Sequence, residues 1–252
     1  MITGIVVALP EELSTLTANK LAKGTVARLS DNILVIYSGA GRKNASSAAE
    51  LLVAQGVDQL ISWGCAAALD ALLKPGDLVL ANSCIGAELV GFDLNNKDWL
   101  IFVKARLEKP PAPAVHSYIG LLAESKSIAA SSQDKTQLAK ATSAMALDME
   151  STAIARVAQS HGLPFLSIRA IADPLNMDLP KAVTHALNNQ GDVVLSKLLA
   201  YLLWHPAELP GLIKLGLAFN AARKTLRQVA KQLDVLTMPS LTHTIQLNNN
   251  DA

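Results

Sequence analysis

The sequence lacks the residues and runs that several protein classes need. Its 252 residues include two cysteines, too few for a disulfide framework, and five scattered histidines, which argue against a metal site. A net charge of +1 gives no reason to expect nucleic-acid binding. No apolar run reaches the roughly 18 residues of a transmembrane helix, and residues 2–9 lack the basic leader of a signal peptide. These absences predict a cytoplasmic protein without a metal ion or other cofactor.

Hydrophobic residues make up 50% of the chain, enough for one good core. Runs rich in Val, Ile and Leu alternate with helical patterns, which is typical of an α/β protein. We therefore predict a three-layer α/β/α sandwich around a mixed, mainly parallel sheet, with a C-terminal helical extension. The predicted strands are Thr3–Leu9, Asn32–Ser38, Gln59–Trp63, Asp77–Ser83, Ser143–Leu147 and Pro164–Ile171. The predicted helices are Glu11–Leu21, Arg42–Gln55, Asp134–Thr142 and Glu150–His161.

Three units are predicted along the chain. Residues 1–191 form the α/β core, and 192–236 form a helical extension that packs on the core or faces a membrane. Residues 237–252 are polar, Asn-rich and expected to be disordered. Within the core, 86–115 is predicted to be an irregular loop.

Carboxylates stand where several strands end. Glu150 opens a helix and Asp173 ends a strand, and ligands of open α/β sheets bind at such carboxyl ends. Glu11 and Glu12 follow the first strand, where a carboxylate could activate a water molecule. Each has a structural alternative, because acids stabilise helix N-termini and Asp173 precedes a proline.

The turn Ser38-Gly39-Ala40-Gly41 would let a ligand approach the backbone closely. A dinucleotide-binding oxidoreductase is one interpretation. However, the third glycine of that motif is replaced by Asn44, so the signal is weak.

Two segments carry a family resemblance: Ala146-Leu147-Asp148-Met149-Glu150-Ser151 and Arg169-Ala170-Ile171-Ala172-Asp173. Together they resemble the signature of the nucleoside phosphorylase and nucleosidase superfamily, in particular its methylthioadenosine/S-adenosylhomocysteine nucleosidase branch. The likeness covers most of residues 1–180. It implies an enzyme that cleaves the N-glycosidic bond of a small purine nucleoside, releases adenine and forms a homodimer or larger homo-oligomer.

The resemblance also implies residue roles. Asp173 would protonate the purine at N7, and Glu12 would activate water, although a slip of one position would give that role to Glu11. Glu150 would accept hydrogen bonds from the ribose hydroxyls, with Met149 packed against the sugar. The remaining substrate-binding positions are Gly64, Cys65 and Asp148.

The sequence departs from the family pattern at several positions. Cys65 replaces a serine, Ala67 and Ala68 replace glycines, and Ala172 replaces the serine before the acid. These losses leave open a non-catalytic nucleoside-binding module. Ser62 stands where phosphorolytic members carry a phosphate-gripping arginine, so water is the expected nucleophile, with phosphorolysis as the alternative.

The C-terminal part is similar to the hopanoid-associated phosphorylase branch, in Leu203-Trp204-His205-Pro206 and Leu209-Pro210-Gly211-Leu212. That likeness implies a substrate such as adenosylhopane, whose 5′ carbon carries a triterpene. An apolar stripe with basic flanks could then touch the inner face of the membrane. Packing of the stripe against its own domain or a dimer partner is the alternative. The stripe comprises Leu212, Leu215, Phe219, Leu226, Val229 and Leu233.

Overall fold

A nine-stranded mixed sheet forms the centre of the protein, whose computed structural model describes residues 1–94, 96–109, 115–186 and 195–237. The strands are β1 (Thr3–Val7), β2 (Val26–Ser30), β3 (Ile33–Tyr37), β4 (Gln59–Ala68), β5 (Leu78–Ile85), β6 (Gly91–Asp93), β7 (Ser117–Glu124), β8 (Ala146–Asp148) and β9 (Phe165–Asp173). Their order is β2-β3-β1-β4-β8-β7-β5-β6, and β9 pairs with both β4 and β5. Five of the nine strand pairs are parallel.

Helices cover both faces of the sheet. They are α1 (Pro10–Leu13), α2 (Arg42–Ala54), α3 (Lys97–Leu107), α4 (Ser132–Thr142), α5 (Ser151–Ser160), α6 (Lys181–Ala186), α7 (Leu195–Trp204), α8 (Leu209–Ala230) and α9 (Leu233–Leu236). Side chains of α2 and α5 pack with one set of strand residues, and those of α3, α8 and α9 pack with the other set. The predicted α/β/α class is confirmed.

Strand β1 shows why the sheet needs two covering layers. Ile5 and Val7 belong to the core under α3 and α8, whereas Val6 belongs to the core under α2 and α5. Successive side chains of a strand point to opposite faces, so an uninterrupted apolar run is stable only when both faces are buried. All five residues of β1 are buried.

The sheet curls on itself beyond β4. The end of β4 pairs with β8, β8 with β7, β7 with β5, β5 with β9, and β9 returns to β4. Strands β1, β4 and β9 run parallel, so their carboxyl ends meet at one edge. The short strand β8, antiparallel to β4, pairs with the last residues of β4. This pairing places the residues after Asp148 at that same edge.

The structure corrects several secondary-structure predictions. All six predicted strands exist, but β2, β6 and β7 were missed. The predicted loop 86–115 contains β6 and helix α3, whose apolar residues Trp99 and Val103 are buried in the core. Helix α1 is only four residues long, far shorter than Glu11–Leu21. The predicted tail from residue 238 onwards lies outside the described residues.

Helix α8 is part of the core. Ala222, Leu226 and Val229 are completely buried, and Phe219 packs against the same cluster. That half of the predicted apolar stripe therefore faces the protein. Of the helices that the structure describes, none has the length and apolar character needed to cross a membrane. The division of the chain at residue 192 stays a prediction.

Candidate active site

A cleft of about 970 Å³ opens at the edge where β1, β4 and β9 end. Six of the seven predicted site residues line it: Glu12, Cys65, Asp148, Met149, Glu150 and Asp173. The seventh, Gly64, lies directly beneath Glu12. The edge of the sheet has thus brought together residues that are up to 161 positions apart in the chain.

Glu12 is the buried carboxylate at the mouth of β1. Its Oε2 accepts the Leu9 amide hydrogen at 3.0 Å, and its Oε1 accepts the Cys65 amide hydrogen at 2.7 Å. Burial raises the pKa of Glu12 to about 7, although Arg169 and the two amides act in the opposite direction. The neighbouring Glu11 is exposed, so the geometry assigns the cleft position to Glu12.

Gly64 is required by close packing. A Cβ at this position would lie 2.5 Å from Oε1 of Glu12 and 2.3 Å from Nη1 of Arg169. Real Cβ atoms do not approach other atoms so closely, and neither side chain can yield, because each is buried. The glycine lets the Glu12 carboxylate and the buried Arg169 guanidinium lie close together.

Arg169 is the centre of a buried polar network. Its Nε lies 2.7 Å from Oδ2 of Asp148 and donates to Ser151 Oγ at 3.0 Å. Its Nη2 donates to Ser62 Oγ, and its Nη1 donates to the Cys65 carbonyl at 3.4 Å. Burial alone would lower the pKa of Arg169, but Asp148, Glu12 and Glu150 outweigh it and raise the pKa. The guanidinium therefore stays charged, and each of its three nitrogens donates to a protein group.

Glu150 stands at the start of α5 and reaches across the cleft. Its Oε1 accepts the Gly41 amide hydrogen at 2.8 Å, which ties α5 to the turn after β3. Burial raises the pKa of Glu150, and the charge of Asp148 adds to that rise. The Asp148 carboxylate, which also lines the cleft, pairs with Arg169 and accepts a hydrogen bond from Ser151 Oγ.

Asp173 ends β9 at the other side of the cleft, with 14% of its side chain exposed. Its Oδ1 accepts a hydrogen bond from Lys135 Nζ at 2.8 Å. Burial raises the pKa of Asp173, and Lys135 only partly offsets that effect. Beside it, the apolar side chains of Ile128 and Leu179 form a wall of the cleft.

Two site residues carried no predicted role. Arg169 was quoted only as part of a motif, although an arginine inside the apolar strand β9 is itself a signal, because a buried charge needs a partner. Lys135 gave no such signal, since a lysine on a polar helix is ordinarily exposed. The segment 125–130, which supplies Ser125, Ser127 and Ile128 to the cleft, was also missed.

Comparisons with known proteins agree with this architecture. Residues 3–205 match the family described as the phosphorylase superfamily. A 5′-methylthioadenosine/S-adenosylhomocysteine nucleosidase of Staphylococcus aureus is 29% identical over 199 residues, covering 69% of this chain and 86% of the relative.

Solved structures show the same fold at lower identity. The 5′-methylthioadenosine/S-adenosylhomocysteine nucleosidase of Helicobacter pylori superposes with a TM-score of 0.65 at 18% identity, covering 93% of this chain and 96% of that one. Futalosine hydrolase of H. pylori gives a TM-score of 0.63 at 19% identity, with the same coverage. Because the family match spans far more than half of the sequence, the chain belongs to the phosphorylase superfamily.

Proposed function

We propose that this protein hydrolyses the N-glycosidic bond of a 5′-substituted adenosine and releases adenine. The observation that carries the proposal is the convergence of Glu12, Glu150 and Asp173 on one cleft from three different strand ends. The nucleosidase names of the relatives support the same reaction class.

In this mechanism Glu12 is the general base. Two backbone amides fix its oxygens, and a pKa near 7 suits a carboxylate that must take a proton from water at neutral pH. Water attacks C1′ of the ribose while the bond between C1′ and the purine nitrogen breaks. The electron pair of that bond goes to the purine.

Asp173 is the proposed acid. Burial raises its pKa and favours the protonated carboxyl that the step needs. Asp173 gives its proton to N7 of the departing purine, as Glu12 receives one from the attacking water. The products are adenine and the free ribose derivative, and the net proton count of the two carboxyls is unchanged.

Glu150 and Met149 hold the sugar. The Gly41 amide restrains one oxygen of Glu150 and leaves the other for the ribose hydroxyls. Cys65 lines the cleft, Gly64 leaves room for Glu12, and Asp148 acts by fixing Arg169. This arrangement favours an enzyme over a non-catalytic binding module, because the three carboxyls of Glu12, Glu150 and Asp173, each with a raised pKa, face one cleft.

Water is the proposed nucleophile, with phosphate as the alternative. Ser62 occupies the position at which phosphorolytic members carry a phosphate-binding arginine. The nearby Arg169 is 1% exposed, and its nitrogens donate hydrogen bonds to protein groups. A phosphate ion would have to break that network.

The deciding experiment measures adenine release from a panel of 5′-substituted adenosines with and without phosphate. We expect adenine to be released at the same rate with and without phosphate. The sugar product should carry no phosphate group. A rate that requires phosphate, with a sugar 1-phosphate as product, would make the protein a phosphorylase. Nucleoside binding without base release would make it a binding module.

We further propose that the 5′ substituent is a bulky lipid, as in the conversion of adenosylhopane to ribosylhopane. An exposed apolar face supports this: Leu203 and Trp204 of α7 are 82% and 83% exposed, and Leu209, Ile213 and Leu217 recur at helical spacing on α8. Helix α7 packs against α6, whose Thr184 lines the cleft. The exposed lysines Lys181, Lys197 and Lys214 suit an anionic membrane surface. These exposed apolar residues lie on α7 and the first half of α8.

Point variants test the membrane contact. Truncation is unsuitable, because α8 buries Leu226 and Val229 in the core. The double variant Leu203→Ser, Trp204→Ser should lose binding to vesicles that contain phosphatidylglycerol, while release of adenine from a small nucleoside stays unchanged. The control is Leu72→Ser, since Leu72 is 71% exposed elsewhere. Absence of salt-sensitive vesicle binding by the natural protein would contradict this part of the proposal.

A further inference from the structure

Lys135 is a buried ammonium that contacts Asp173. It lies on α4 with no exposed surface. Its Nζ donates to Asp173 Oδ1 at 2.8 Å, to the Pro174 carbonyl at 2.7 Å and to the Met177 carbonyl at 2.6 Å. An ammonium has three protons, so each proton has its own acceptor and none is left for a ligand.

Other hydrogen bonds also hold the segment after β9. The Ser132 amide already donates to Asp178 Oδ1 at 2.6 Å, and the Leu179 amide donates to the Ala130 carbonyl at 2.8 Å. These bonds join the same segment to the start of α4. Burying an ammonium costs free energy unless its protons find acceptors, and of the three acceptors of Lys135 Nζ only the Asp173 carboxyl can become negatively charged.

We propose that Lys135 is the positioning residue of the acid. By occupying Oδ1 of Asp173, it leaves the transferable proton on Oδ2. It also stabilises the carboxylate that remains once that proton has left. The neighbours Ala172 and Pro174 have no side-chain donor, so within the described residues the orienting side-chain hydrogen bond comes from α4.

This inference rests on the proposed hydrolysis and concerns how Asp173, its proposed acid, is oriented for proton transfer. In the step, the O–H bond of Asp173 breaks and the proton moves to N7 of the purine. Lys135 keeps its three protons throughout. Its ammonium faces the new negative charge at hydrogen-bond distance, and a hydrogen bond to a charged group is about twice as strong as a neutral one.

The charges around Asp173 set the expected pH dependence. Burial raises the pKa of Asp173, Lys135 lowers it, and Asp178 from the following segment raises it. Lys214 of α8 lies beside the same segment, in a cavity that Pro174 and Asp178 also line. Removing Lys135 therefore raises the pKa of Asp173 further. Since the acid must be protonated, the alkaline limb of the rate profile moves to higher pH.

The test compares Lys135→Met and Lys135→Gln with Lys140→Met. The glutamine keeps hydrogen-bond donors without the charge, and Lys140 is an exposed lysine of the same helix. We expect kcat to fall at least about tenfold in both Lys135 variants, the size of one hydrogen bond to a charged group. KM should change less than about twofold, and the alkaline limb should rise by about one pH unit. Lys140→Met should match the natural protein in kcat, in KM and in the position of the alkaline limb.

A second measurement separates this inference from the proposed reaction. The Asp173 carboxyl can be titrated by NMR in protein labelled with ¹³C-aspartate, with its resonance assigned through Asp173→Asn. We expect its pKa to be higher in Lys135→Gln than in the natural protein, because the ammonium that lowers it is gone. If the natural protein releases no base, the proposed function fails and this titration alone decides the role of Lys135. An unchanged pKa, unchanged kcat in a folded variant, or failure of both variants to fold would overturn the assignment and leave Lys135 a purely structural residue.

Discussion

The carboxylate of Glu12 and the guanidinium of Arg169 meet over the bare Cα of a glycine. Both side chains are buried, and their atoms Oε1 and Nη1 occupy the space that a side chain at position 64 would fill. The pair couples the proposed base to the network below it, since Arg169 is among the charges that lower the pKa of Glu12.

Gly64→Ala should displace Glu12 or Arg169. Overpacking of this kind costs about 1–3 kcal/mol of unfolding free energy, and a misplaced catalytic group can cost about 10²-fold in rate. Urea unfolding and adenine release measure the two effects. The control is Gly216→Ala on α8, where a Cβ meets nothing within 4 Å. That variant should gain about 0.5–1 kcal/mol and keep full activity, because alanine is the better helix former. A fully active Gly64→Ala protein would show that the close packing has no catalytic importance.

Glu12→Gln should lower the rate of hydrolysis by about 10²–10⁴-fold, because an amide cannot take a proton from water. Substrate binding should be largely kept, as judged by calorimetry. The exposed neighbour offers a matched control, and Glu11→Gln should stay within about twofold of the natural rate. If Glu11→Gln were the inactive variant, the assignment would be off by one residue.

The pH profile of kcat/KM should show an acid limb near pH 7. Glu12 acts only when ionised, and burial raises its pKa from 4.5 to about 7. Activity should therefore fall as the pH drops below about 7, and this limb should vanish from the residual activity of Glu12→Gln. A limb near pH 4.5 would mean that another, normally titrating carboxylate is the base.

Asp173→Asn should reduce kcat by at least about 10²-fold with little change in the thermal unfolding midpoint. The amide is close to isosteric and can still accept a hydrogen bond from Lys135, but it cannot protonate the purine. Rapid adenine release by this variant would remove Asp173 from the mechanism.

Glu150→Ala should reduce discrimination between ribonucleosides and their 2′- or 3′-deoxy analogues. A site built to pair with sugar hydroxyls loses that preference when its partner is removed. The ratio of kcat/KM for adenosine and deoxyadenosine derivatives measures the effect. An unchanged ratio would contradict the proposed contact with the ribose.

The sequence by itself determined the fold class and predicted most of the residues that line the candidate site. Apolar runs such as β1 can be stable only when both faces are covered, so their alternation with helices predicted the α/β/α arrangement. Acidic residues at strand ends, such as Glu12 and Asp173, could be placed at one edge because parallel strands share their carboxyl ends.

Tertiary structure decided what spacing cannot encode. Strand β7 has Gly120 in its middle, which interrupts its apolar pattern. A Cβ at that position would lie 2.2 Å from Met145 Sδ, so the packing of Met145 explains the glycine. The sequence left Glu11 and Glu12 open, and the short helix α1 decided between them by burying only one. The sequence also gave no sign that Lys135, 38 positions before Asp173, would reach that carboxyl. The contact depends on how α4 packs beside the end of β9. Burial and pairing of charges arise only when distant segments pack together, and they set the pKa values on which the proposed chemistry depends.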